Sequence, residues 1–138
     1  MSVQDCIFCK IATGEIPATK IYEDDVVFAF LDIGPVSDGH TLVVPRRHIE
    51  KVHDCSAELL GQICSRLAKL AGAVASATDA DGYNVLCNNG RAAGQIVDHM
   101  HFHIVPRKAG DGVFTQWPSY KYQPGRAEQL AEKIKKNL

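Results

Sequence analysis

His99-Met100-His101-Phe102-His103-Ile104-Val105-Pro106 decides how this chain is read. Three of its six histidines fall there, at every second position. Phe, Ile and Val favour a strand, and Pro106 can end one. Alternate strand side chains share a face, so the three imidazoles project one way. Met100, Phe102 and Ile104 project the other way, toward a core. Like-facing residues stand about 6.6 Å apart, close enough for imidazoles to disfavour one another's protonation, and partial burial adds to this. A neutral imidazole can act as nucleophile, base or metal ligand. The plainer alternative is a solvent-facing strand that is merely rich in histidine.

Upstream, Asn88 to Gln95 is a loop with two glycines and three amide side chains. Such a loop can offer N–H donors to an anion, or can simply join two strands. Tyr83 to Cys87 reads as the strand before it. Leu59, Leu60, Ile63, Leu67, Leu70, Ala71 and Val74 recur at helical spacing, which predicts a long helix capped by Asp54 or Ser56 and running to about Ala77. Its apolar stripe needs a sheet to cover. Cys64 is expected to pack on that helix.

Further back, Thr41 to Pro45 is a short apolar run of the kind buried on both faces. Lys20 to Glu23 and Val26 to Leu31 read as two strands around an Asp24-Asp25 turn. Asp32, at the end of the second, can cap a turn or accept hydrogen bonds from a sugar diol. Cys6-Ile7-Phe8-Cys9 opens a short helix that ends near Gly14. A CxxC pair can be half a zinc site, a redox pair or two small buried residues. Zinc would need two more ligands, with His48, His53 and His99 as candidates. Beyond Pro106 the chain is flexible and irregular through Trp117-Pro118. A last helix starts near Arg126, with acids early and lysines late to match its dipole.

With 138 residues, 46% apolar and 22% charged, the chain is sized for one compact domain. A net charge of −1 gives no electrostatic case for a nucleic-acid partner. No apolar run suits a membrane span, and Met1 to Asp5 is unlike a secretion signal, so a cytoplasmic protein is expected. Five cysteines, an odd number, argue against a disulfide scaffold.

The triad run resembles the HxHxHxx signature of the histidine-triad (HIT) nucleotide-binding proteins. Cys6 to Ile11 is similar to the opening of their zinc-binding members. Phe30 to Ile33, Pro45 to Ile49, and Asn88, Gly94 and Gln95 fall where the family has further motifs. The resemblance implies one domain over 1–138, with a C-terminal extension from about 107. Its implied fold is α+β: a five-stranded antiparallel sheet, one long helix packed on it, and short terminal helices, in a homodimer with a continuous sheet.

The resemblance also implies a hydrolase or nucleotidyl transferase acting on purine nucleotides (AMP or GMP derivatives). His101 would attack the α-phosphorus and form a nucleotidyl-histidine. His103 would bond to phosphate oxygen, Asn88 and the catalytic Gln95 would position the phosphate, Gly94 would take part in binding the nucleotide, and Asp32 would hold the ribose. Phe8, Ile16, Phe30 and Ile33 would form the base pocket. Cys6, Cys9, His48 and His99 would bind structural zinc, with no metal needed at the reacting centre. Ile96 departs from the phosphoramidase-like members, which carry Ser or Thr there to hydrogen-bond the leaving group. This turns the expectation toward leaving groups of low pKa. The competing readings are a nucleotide-binding interaction module with little turnover, and a zinc-dependent hydrolase.

Overall fold

The computed structural model describes residues 3–114 and 118–138. Trp117, expected in an irregular segment, lies outside the described residues. Helix α1 (Ile7–Ala12) is followed by strands β1 (Lys20–Glu23), β2 (Val27–Leu31) and β3 (Thr41–Pro45). The long helix α2 (Ala57–Ala77) comes next, then β4 (Gly82–Leu86), β5 (Phe102–Arg107) and α3 (Arg126–Lys135). The strands form one sheet in the order β1-β2-β3-β5-β4, and every neighbouring pair is antiparallel. Among the described residues, no helix is long and apolar enough to cross a membrane.

Both faces of the sheet are covered, which explains why β2 and β3 read as unbroken apolar runs. Val27, Ala29, Val43 and Ile104 face α2 and pack with its Ile63, Leu67, Leu70 and Val74. Phe28, Phe30, Leu42 and Val44 face the other way and pack with Cys6, Phe8 and Ile11 of the N-terminal segment. Burying an aliphatic side chain contributes about 1.5–3 kcal/mol, so two such layers stabilise the sheet that carries the site. Ser56 caps α2 by accepting from Leu59 N–H at 3.2 Å; Asp54 instead lies in a short 3-10 turn before it. Cys64 does not pack: it is exposed, and Ile63 beside it takes the buried direction.

The strand bearing the triad differs from expectation at both ends. It starts at Phe102, so His99 and His101 precede the hydrogen-bonded ladder. It also runs through Pro106, which pairs with Tyr83. The Arg107 carbonyl accepts from Asp81 N–H on the β4 side, so the Pro106 nitrogen points the opposite way. Pairing with β3 has already stopped there, at Ile104, and no ladder bond is lost. The Pro106 carbonyl on that side accepts from the Ser37 hydroxyl at 2.7 Å.

Asp24 fixes the first hairpin. Its Oδ1 accepts from the N–H groups of Val26 and Val27, both at 2.8 Å, closing the turn where β2 begins, at Val27 rather than Val26. Its Oδ2 accepts from the Tyr22 hydroxyl and from Arg66 of α2, at 2.8 and 2.6 Å. Burial opposes ionisation of Asp24, but these four bonds outweigh it and hold the carboxyl well below the usual carboxylate range. Asp24→Ala is expected to cost about 2 kcal/mol or more, read by urea denaturation at pH 7. Because the folded pKa is depressed, this contribution is full above the ordinary carboxylate range and fades as pH falls through it. An unchanged midpoint at pH 7 would reject the assignment.

Candidate active site

The 88–95 loop and the start of β5 bring the triad against the α1 face of the sheet. Gly94 supports the turn: its φ is +90°, and a Cβ there would stand 3.4 Å from Asn88 Nδ2. Gln95 is buried and both ends of its amide are bonded. Its Oε1 accepts from Gly90 N–H and its Nε2 donates to the Glu50 carbonyl, both at 2.7 Å. Gln95 thus ties the loop to the segment after β3.

All three triad rings lie on the expected side. Phe8 meets His101 edge-on at 5.0 Å and His99 at 5.8 Å between ring centres, and His101 is 4.9 Å from His103. Met100 and Ile104 are buried in the opposite layer. A cavity of about 410 Å³ opens beside the triad. Phe8, Ile16, Phe30, Asp32, Ile33, Gly94, His101 and His103 all line it, whereas Asn88 and Gln95 do not. Ile96 lines it too and is 76% exposed. The walls are chiefly apolar, with Asp32, His101 and His103 the ionisable groups among them.

Backbone and ring contacts set the tautomers. His101 Nδ1 donates to the His99 carbonyl at 2.8 Å, which leaves Nε2 with its lone pair. Burial lowers the His101 pKa, so the ring is neutral near pH 7. A second chain starts at Val36, whose N–H donates to His40 Nδ1 at 3.2 Å. His40 then carries its hydrogen on Nε2 and donates to His103 Nδ1 at 2.9 Å. His103 is left with an Nε2–H donor. Burial first, then the His101 and His40 rings, lowers the His103 imidazole to about 4. In the sequence His40 is an isolated histidine before β3, and its burial, which brings it to His103, is not visible there.

The CxxC pair finds its partners next to this site. Cys6, Cys9, His48 and His99 direct ligand atoms that lie within 4.8 Å of one another. His53 stays outside, exposed and beside Asp54. Cys6 Sγ is 3.4 Å from His99 Nδ1, and Cys9 Sγ is 3.4 Å from His48 Nδ1 and 3.6 Å from His99 Nδ1. A tetrahedral zinc ion with ordinary Zn–N and Zn–S bonds separates an N/S ligand pair by about 3.6 Å. His99 Nε2 donates to the Pro45 carbonyl at 2.8 Å, which turns the Nδ1 lone pair toward the thiols. This donor set fits zinc.

The HIT domain profile matches residues 13–110. The chain belongs to the HIT domain family. Among its relatives, adenosine 5'-monophosphoramidase hnt1 of Schizosaccharomyces pombe is 44% identical over 134 residues, spanning 96% of this chain and 98% of that protein. Adenylylsulfatase HINT3 of Arabidopsis thaliana is 43% identical over 107 residues, 78% of this chain and 54% of that protein. Of solved structures, SMU.412c from Streptococcus mutans UA159 superposes on this HIT domain with a TM-score of 0.93 at 43% identity, covering 99% of this chain and 87% of that one. A zinc-bound histidine triad family protein from Mycobacterium smegmatis has a TM-score of 0.76 at 33% identity, covering 99% of this chain and all 100% of its own.

Proposed function

We propose that this HIT domain is a nucleotidyl hydrolase that cleaves purine nucleotides at the α-phosphorus through His101. The observation that carries this is the His101 ring: Nδ1 is committed to the His99 carbonyl at 2.8 Å, so the cavity-lining imidazole presents an unprotonated Nε2. That nitrogen attacks phosphorus without first losing a proton. As the P–N bond forms, the bond to the leaving group breaks and the leaving group takes the electron pair. Water then attacks the nucleotidyl-imidazolium and gives up a proton, and the P–N bond breaks to return neutral His101.

His103 Nε2–H and the backbone of the 88–95 loop bind the phosphoryl oxygens, where fixed donors stabilise developing charge. Asp32 accepts from the ribose hydroxyls. Phe8, Phe30, Ile16 and Ile33 sandwich the base. Gln95 acts one step removed, by holding the loop through Gly90 and Glu50, and Asn88 lies beside Gly94. Ile96 offers no hydroxyl to a departing amine, which favours leaving groups that depart as stable anions, such as phosphate or sulfate. A relative named as an adenylylsulfatase accords with that preference.

Zinc bound by Cys6, Cys9, His48 and His99 would be structural, since all four tetrahedral positions are filled by side chains. The edge strand β4, whose Tyr83 and Val85 are 48% and 42% exposed, supports pairing with a second copy there.

The test is to trap the intermediate. Incubation with adenosine 5'-phosphosulfate, quenched without acid, should add one adenylyl group to the intact mass of the wild-type chain. His101→Ala should show none. An adduct of equal yield on His101→Ala would reject the assignment.

A further inference from the structure

Asp32, His40 and His103 form a second group of metal-ligating side chains, and their ligand atoms lie within 4.8 Å of one another. His40 Nε2 stands 2.9 Å from His103 Nδ1 and 3.7 Å from Asp32 Oδ2. Two ring nitrogens that face each other so closely need a shared hydrogen or a cation between them. Ligands about 2.1 Å from one ion and 90° apart are themselves separated by about 3 Å. The rings therefore already stand at ligand spacing.

The surroundings hold these atoms in place. His40 is 4% exposed. Asp32 Oδ1 accepts from Gly34 N–H at 2.9 Å, which leaves Oδ2 on the His40 side. Two imidazoles and one carboxylate suit borderline divalent ions, with a remaining position open to the cavity that His103 lines.

The geometry points to a second divalent-cation site, made by Asp32 Oδ2, His40 Nε2 and His103 Nδ1, that takes a borderline transition-metal ion in place of the hydrogen shared by the two rings. That hydrogen stays on His40 by moving to Nδ1. The bond from Val36 N–H, the longest in the chain of contacts at 3.2 Å, is given up. The ion then occupies the carboxylate assigned to the ribose, so metal and nucleotide exclude each other. Only this exclusion rests on the nucleotide reading; the binding itself does not.

The test titrates Co2+ into protein already carrying one equivalent of zinc, read by calorimetry and visible absorption. One further equivalent per chain is expected, without a thiolate-to-metal band, because no sulfur is in the site. Asp32→Asn should weaken it at least about tenfold, as removing a ligand exceeds the usual effect of an outer-shell partner. His40→Gln should abolish it. Asp32 is partly exposed and its amide is isosteric, so this variant carries the test if His40→Gln fails to fold. No second equivalent, or one of unchanged affinity in Asp32→Asn, would overturn the site. A second equivalent that AMP does not displace supports the site and counts against ribose at Asp32.

Discussion

His101→Ala is expected to keep nucleotide affinity within a few-fold while losing turnover about 10³-fold or more. The substitution removes the nitrogen to which the attack is assigned in the proposed function. It leaves Asp32, Phe8, Phe30 and His103, which also line the cavity, in place. Affinity for AMP by calorimetry, beside steady-state hydrolysis of adenosine 5'-phosphosulfate, separates the two effects. A lost covalent step lowers kcat, whereas a damaged pocket raises KM. Turnover within tenfold of wild type would mean that His101 is not the nucleophile, and the interaction-module reading would gain if wild type itself turned over no faster than the variant.

The second large effect concerns the Cys6, Cys9, His48 and His99 cluster. Cys6 and His99 are fully buried, and the group joins the N-terminal segment to the residues after β3 and before β5. Removing an ion held at about a thousand times its dissociation constant withdraws about 4 kcal/mol from the folded state. For a chain of this size, that lowers Tm by at least about 10 °C. Calorimetric melting with and without a strong chelator measures it, and Cys6→Ser should reproduce the chelator's effect. Cys64→Ser is the control, since that thiol is exposed on α2 and outside the cluster. An equal Tm with and without chelator would remove zinc from the account.

Much of this was legible because residue pattern and packing agree. The stripe on α2 names the buried Ile63, Leu67, Leu70, Ala71 and Val74, and the unbroken apolar runs of β2 and β3 match strands covered on both faces. The alternation around His101 also placed the rings on one side and Met100 and Ile104 on the other. What the pattern missed depended on partners distant in sequence. Whether Pro106 ends or continues a strand depends on where β3 stops pairing, and that is set by the Thr41–Ile104 register. His40 gains its place only when β3 brings it to His103, 63 positions away. Gln95 lies beside the triad in sequence, and only the fold shows that its amide bonds Gly90 and Glu50 and that it does not line the cavity.

His99 serves its two neighbours through different atoms. Its ring belongs to the sulfur-containing cluster, while its main-chain oxygen orients His101. Every amino acid has that oxygen, so a descendant could exchange the ring at 99, give up the cluster and still inherit a His101 ring held in the same orientation. On the proposed reading, selection could therefore discard a metal at the cluster and keep the chemistry, provided other packing made good the lost rigidity.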